Sequence, residues 1–247
     1  MRKVLAALLM VLILLVAAAA AEVQEGRQAV SVGDIVSFGC YEQDSDLENG
    51  PEAIEWIVLD CDEENHRVLL LSRFGLDTRP YHSEYADVTW ETCSLRAWLN
   101  DEFLSAAFSG DEQAAILFTA VDNSDAQGYS GWITSGGNNT KDKIFLLSCA
   151  EISLYLDAKY MENDDGNNTA SRIAPTEYAI ENGAWFDDKF QTADGRPSGW
   201  WWLRSPGGLQ SEAAFVTSFG SFFDDSIIDG SVVVRPAFWL NLESDIF

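Results

Sequence analysis

The sequence predicts an α+β fold, with strands gathered at both ends of the chain and helices in its middle. Three observations carry that reading. Residues 33–72 alternate apolar and polar side chains between tight turns, the pattern of an antiparallel meander. Helical spacing begins only after Thr92. The chain then returns to apolar runs, Trp200-Trp201-Trp202-Leu203 and Val232-Val233-Val234, each followed at once by an arginine (Arg204, Arg235) and soon by a proline.

The first 21 residues stand outside this fold. Arg2 and Lys3 precede an apolar run over 4–16, and small alanines follow to Ala21, which is the three-part pattern of a secretory signal peptide. An uncleaved anchor is the other reading of that run, and it is the only membrane contact the sequence predicts. Residues 22–31 are polar and read as a linker, and 32–247 as a single domain. Nine Trp, seven Tyr and fourteen Phe favour a packed globule over disorder.

Within the domain, strands are expected over 33–41, 54–59 and 68–72, separated by Asn49-Gly50-Pro51 and Asp62-Glu63-Glu64-Asn65 turns. Residues 77–88 form a loop. Leu95, Trp98, Leu99 and Phe103 then share one helical face. Ser109 and Glu112 form a capping box before a helix over 113–118, and Ser148 and Glu151 form another before a helix through Tyr155 and Leu156. Between them lie a Gly/Asn-rich loop over 122–142, centred on Trp132, and a strand over 143–147. After an acidic loop over 161–170, Pro175 suits the first turn of a helix ending at Asn182-Gly183. Short strands follow at 213–216 and 219–222, with Asp224, Asp225 and Asp229 in the last loop before Val232.

The formal net charge of −25 repels nucleic acid, anionic lipid and anionic wall polymers, so none of these is an expected partner. The four cysteines, Cys40, Cys61, Cys93 and Cys149, contain no C-x-x-C pair, which excludes zinc knuckles and thioredoxin chemistry. Simple hairpin register does not set Cys40 opposite Cys61, and buried free thiols are the expectation. Catalytic motifs are absent: there are two histidines, and no nucleophile elbow, P-loop, H-E-x-x-H or dinucleotide fingerprint.

Candidate binding residues come from the aromatic strand and the two arginines. Alternation puts Trp200 and Trp202 on one face of their strand, and Trp201 and Leu203 on the other. An indole exposed beside polar loops could stack on a sugar ring, although burial is the commoner fate of large aromatics. Arg204 and Arg235 need carboxylates or carbonyls as partners; the alternative is an anion clamp between the two strand ends. The ligand-binding candidates are therefore Trp132, Trp201, Arg204 and Arg235. No cofactor is called for, and calcium on Asp224, Asp225 and Asp229 is the one metal weighed, although their spacing fits no EF-hand.

Six motifs occur in order: Gly33-Asp34-Ile35-Val36-Ser37-Phe38-Gly39, Ile54-Glu55-Trp56-Ile57-Val58-Leu59, Thr89-Trp90 through Leu99-Asn100, Asp142-Lys143 through Leu147-Ser148, Trp201-Trp202-Leu203-Arg204-Ser205-Pro206-Gly207, and Val234-Arg235-Pro236-Ala237. With them the chain resembles the family called domain of unknown function 6273, found in exported and surface proteins of gut Firmicutes, over residues 31–243. The resemblance implies a divergent C-type-lectin-like fold, related to that of the formylglycine-generating enzymes. That fold is a twisted antiparallel sheet flanked by short helices, with the chain ends close together. The late cysteine pair that holds copper in those enzymes has no counterpart, since the last cysteine here is Cys149. The expectation is an exported, non-enzymatic binding or adhesion module, secreted or on the cell surface, for an extracellular glycan or protein. Its loops would be 122–142, 161–170 and 221–231, with the site where Arg204 and Arg235 emerge. The alternatives are an enzyme of the formylglycine-generating-like fold and a purely structural surface domain.

Overall fold

The computed structural model describes residues 30–161, 168–244 and 246. The expected signal peptide, most of the linker and part of the 161–170 loop lie outside the described residues.

The chain opens with the expected meander, β1 (Ile35–Tyr41), β2 (Glu52–Asp62) and β3 (Arg67–Ser72), paired antiparallel in sequence order. Alternation along β2 turns Ile54, Trp56 and Val58 inward, all fully buried. A bulge between Ser37 and Cys40 is built on Gly39, whose φ is +71°. A Cβ there would stand 2.6 Å from both the Phe108 ring and the Ala107 carbonyl oxygen, so glycine is required twice over.

A short β4 (Asp77–Thr78) follows, then α1 (Ser94–Trp98), which passes through a π-helical turn (Leu99–Phe103) into α2 (Leu104–Ala107). Leu95, Trp98, Leu99 and Phe103 are buried, as their spacing predicts. Helix α3 (Gly110–Ala115) carries the Ser109–Glu112 capping box, and α4 (Cys149–Leu156) the Ser148–Glu151 box. Between them, β5 (Thr119–Val121) and β6 (Thr140–Asp142) pair and bracket the long loop. Helix α5 (Glu177–Glu181) starts later than Pro175 suggests. The Thr176 hydroxyl accepts from the Ala179 amide at 3.1 Å and so takes the N-cap, leaving Pro175 outside the helix.

The last third is β7 (Phe186–Gln191), β8 (Pro197–Gly199), β9 (Trp201–Pro206), β10 (Glu212–Val216), β11 (Phe222–Ser226), β12 (Val233–Val234) and β13 (Ala237–Asn241). These strands complete a four-stranded antiparallel sheet, β1-β2-β3-β13, and a five-stranded sheet, β11-β10-β9-β12-β4. The two apolar runs do meet: β12 pairs with β9 in parallel, Val233 opposite Trp201. The first and last strands share one sheet but at opposite edges, not side by side. The molecule is thus mixed helix and strand, with mostly antiparallel sheets and a few short helices. Among the described residues no helix is long and apolar enough to cross a membrane.

Besides α5, the helix expected over 113–118, which spans Gly110–Ala115, and β4 and β6, which fall within expected loops, three elements differ from expectation. Residues 143–147 form no strand. The Lys143 and Ile144 amides donate to the Asn100 side-chain oxygen, Phe145 bridges to Ala237, and the Leu147 carbonyl accepts from the Arg204 amide. The segment therefore ties the two sheets together and extends neither. The β7–β8 hairpin is additional, with β7 half-exposed and rich in charge and β8 largely buried. The strand expected over 219–222 begins instead at Phe222, because a tight turn from Thr217 to Ser221 precedes it. Asp224 and Asp225 consequently lie in β11, not in a loop.

All four cysteines are free thiols. Cys93 and Cys149 are buried, whereas Cys40 is exposed and Cys61 half-buried, since β1 and β2 lie at and near a sheet edge.

Candidate functional site

The four residues singled out from the sequence have different surroundings. Trp201 is fully buried, and its indole nitrogen donates to the Ser171 carbonyl at 2.9 Å, so it presents no surface to a ligand. Arg204 is also buried. Its two terminal nitrogens grip the Glu151 carboxylate and donate to the carbonyls of Leu146 (2.9 Å) and Asp122 (3.0 Å). It thereby joins β9, the start of α4 and the entry of the 122–142 loop. Arg235 is buried over the Trp201 ring, 4.7 Å from its centroid. Trp132 is half-buried, edge-on to Tyr129 and Tyr160. Trp132 and Arg204 do come together in the wall of one crevice, but its volume of about 10 Å³ suits a single water, not a sugar.

Nor do the three aspartates converge on a cation. Asp224 accepts from the Gly208 amide (2.8 Å), Asp225 from the Ser226 amide (2.6 Å), and Asp229 from the amide and hydroxyl of Ser231 (both 2.7 Å). Among the described residues, the one acidic trio with ligand oxygens mutually within 4.8 Å is Glu42, Asp44 and Glu52.

A larger cleft, of about 450 Å³, opens on the other indole of the tryptophan run. Trp200, just ahead of β9, is half-buried and lies against Trp185 with ring centroids 4.2 Å apart. Phe215 of β10 closes the floor, 5.2 Å from Trp200. Gly199 makes the approach feasible, since a Cβ there would meet the Pro175 ring at 2.7 Å and the Trp185 carbonyl at 2.9 Å. Phe190 of β7 and Phe219 of the β10–β11 turn pack together at 5.6 Å on one side, and Phe223 of β11 stands on the other. Register explains part of the floor: Phe215 and Phe223 are directly opposed across β10 and β11, so they share a face.

The rim is acidic. Asp187, Asp224 and Asp225 line the cleft, no Lys or Arg does, and none of the three joins an ion pair among the described residues. Burial pushes the Asp225 carboxyl above its usual range, and Asp229 and Asp224 push the same way against the Ser226 amide. Glu212, beside Asp224, is raised likewise, by burial first and then by its hydrogen bond to Asp224. Chemically, the cleft offers aromatic faces for stacking, carboxylate oxygens as acceptors, and the hydroxyls of Thr217 and Ser218. Neither histidine lines it.

Sequence reasoning found the tryptophan strand but chose Trp201 over Trp200. Alternation separates the two faces without saying which is covered. Trp185 and Phe190 were missed because β7 was not read as a strand: Phe186-Asp187-Asp188-Lys189-Phe190 carries no two-residue alternation to mark one.

The family model described as Domain of unknown function (DUF6273) matches residues 65–242. No curated protein and no solved structure matches the chain.

Proposed function

The chain belongs to the DUF6273 family, and from that premise we propose that it is an exported, non-catalytic binding module whose aromatic cleft takes an extracellular glycan. The observation that carries this reading is the half-exposed pair Trp185–Trp200 at the floor of a 450 Å³ cleft rimmed by Asp187, Asp224 and Asp225. A pyranose has an apolar face that stacks on indole and an equatorial ring of hydroxyls that donate to carboxylates. An acidic rim accepts neutral or amine-bearing sugars and repels uronic and sialic acids from this cleft.

The finer likeness to the C-type-lectin-like fold is part of this proposal. The mostly antiparallel sheets support it, as do the first and last strands lying in one sheet. Secretion is a proposal that rests on the N-terminal sequence pattern alone. No calcium is assigned.

A glycan array probed with the purified protein and with Trp200→Ala tests the reading. Wild-type binding to neutral or amino sugars that the variant loses is the expected result. Binding to no glycan, or equal binding by both proteins, would sink it.

A further inference from the structure

Arg204 and Arg235 look alike in sequence, each closing an apolar run, but among the described residues only one of them is neutralised. Arg204 holds Glu151. Arg235 is 1 % exposed and joins no ion pair among the described residues. The one hydrogen bond its side chain makes among those residues runs from Nε to the Ser72 carbonyl at 3.0 Å, and Nη1 is buried without an acceptor. Burial, with no carboxylate acting against it, holds its pKa down to about 9, so the guanidinium remains charged at neutral pH. An uncompensated buried charge is rare, and more so in a chain with forty acidic residues and fifteen Lys and Arg.

Arg235 forms part of the wall of a cavity of about 250 Å³. Arg73, Arg172, Phe74, Thr192 and Asp194 also line it. Asp194 is the one carboxylate in this lining and is already engaged: it lies 3.4 Å from Arg73, which also pairs with Glu55 at 2.8 Å, and it accepts from the Thr192 hydroxyl. The aromatic cleft has the opposite balance, with three carboxylates and no cation. Trp200 faces the acidic cleft, while its neighbour Trp201 carries Arg235.

We propose that this cavity is a binding site for a small carboxylate, separate from the aromatic cleft, with Arg235 as the principal donor. A carboxylate supplies the acceptor that Nη1 lacks and the counter-charge that no described residue provides. The planar guanidinium, held flat on the Trp201 ring and tethered through Nε, is pre-organised for a planar anion. Arg73, which pairs with Glu55 and Asp194, lies in the same wall. The cavity suits a ligand the size of one acidic sugar or one amino acid. Uronate and peptide carboxylates share the recognised chemistry.

Thermal melts of the purified protein in sodium acetate and in sodium chloride at matched ionic strength are the test. The wild type is expected to show a saturable rise in Tm with acetate over chloride, on the order of 3 °C. Arg235→Met is expected to lose that rise while melting no lower than wild type in chloride, because it removes a buried charge that no described residue compensates. Arg235→Lys, which keeps the charge but not the fork, should bind at least about ten-fold more weakly. Should the methionine variant fail to fold, calorimetric titration of the wild type and Arg235→Lys with glucuronate and N-acetylglycine decides instead. Tighter glucuronate assigns an acidic sugar and tighter N-acetylglycine a peptide carboxylate. No carboxylate-specific effect on the wild type, or an undiminished one in either variant, overturns the proposal.

Discussion

Arg204 and Glu151 join β9 to the first turn of α4, and the same carboxylate that receives the guanidinium also closes the Ser148 capping box. One acidic side chain therefore serves a helix terminus and a buried cation. Arg204→Met leaves the Leu146 and Asp122 carbonyls without their donor and Glu151 without its counter-charge. Breaking such a pair from one side should cost about 3 kcal/mol, read as a lower urea midpoint at unchanged slope. A loss under about 0.5 kcal/mol, the scale of a surface substitution, would show that the pair contributes little to folding.

Trp200 and Trp201 are adjacent but should respond oppositely. Trp201 is fully buried and donates to Ser171, so Trp201→Ala should cost about 3–5 kcal/mol of stability. Trp200 is half-buried in the cleft wall, so Trp200→Ala should cost about 1–2 kcal/mol and weaken glycan binding about thirty-fold. Urea unfolding beside binding titrations on the best array ligand separates the two effects. The reverse pattern would place the site on the other face of the strand.

That pair also shows how far the sequence could be read. Both capping boxes were legible because a Ser and a Glu three residues apart satisfy each other's amides without help from distant chain. The helical face of Leu95, Trp98, Leu99 and Phe103 was legible for the same local reason. Which tryptophan faces outward depends instead on what covers each side, and Trp201 is covered by Arg235 and Ser171, 34 and 30 residues away in sequence. The false strand at 143–147 has the same origin: its apolar run is genuine, but its amides go to Asn100, a partner 43 residues earlier. The cleft was least legible, since β7, β10 and β11 each contribute only one or two of its rings.

The thiols should divide into two classes. Burial pushes Cys93 and Cys149 up to about 12, which leaves almost no thiolate at neutral pH, whereas Cys40 is exposed. Iodoacetamide at pH 8 should alkylate Cys40 first, with Cys93 and Cys149 protected until the protein unfolds. Peptide mapping by mass spectrometry reads the order directly. Rapid labelling of Cys149 in the native protein would contradict its burial in the first turn of α4.

Stability near the cleft should fall as pH rises, the reverse of the usual carboxylate behaviour. Asp225 has a folded pKa above its ordinary 3.8, and Glu212 one above its ordinary 4.5, each chiefly through burial. Between the unfolded and folded values the native state holds a proton that the unfolded chain has lost. Their contribution therefore declines as pH climbs through that window and is constant above it. Asp225→Asn keeps an oxygen for the Ser226 amide but removes the charge, so it should raise Tm relative to wild type at pH 7 and not at pH 3. Equal changes at both pH values would mean that the charge is already compensated. A ligand whose hydroxyls or amines donate to this rim should offset the same cost, so glycan binding should shrink the difference between variant and wild type at pH 7.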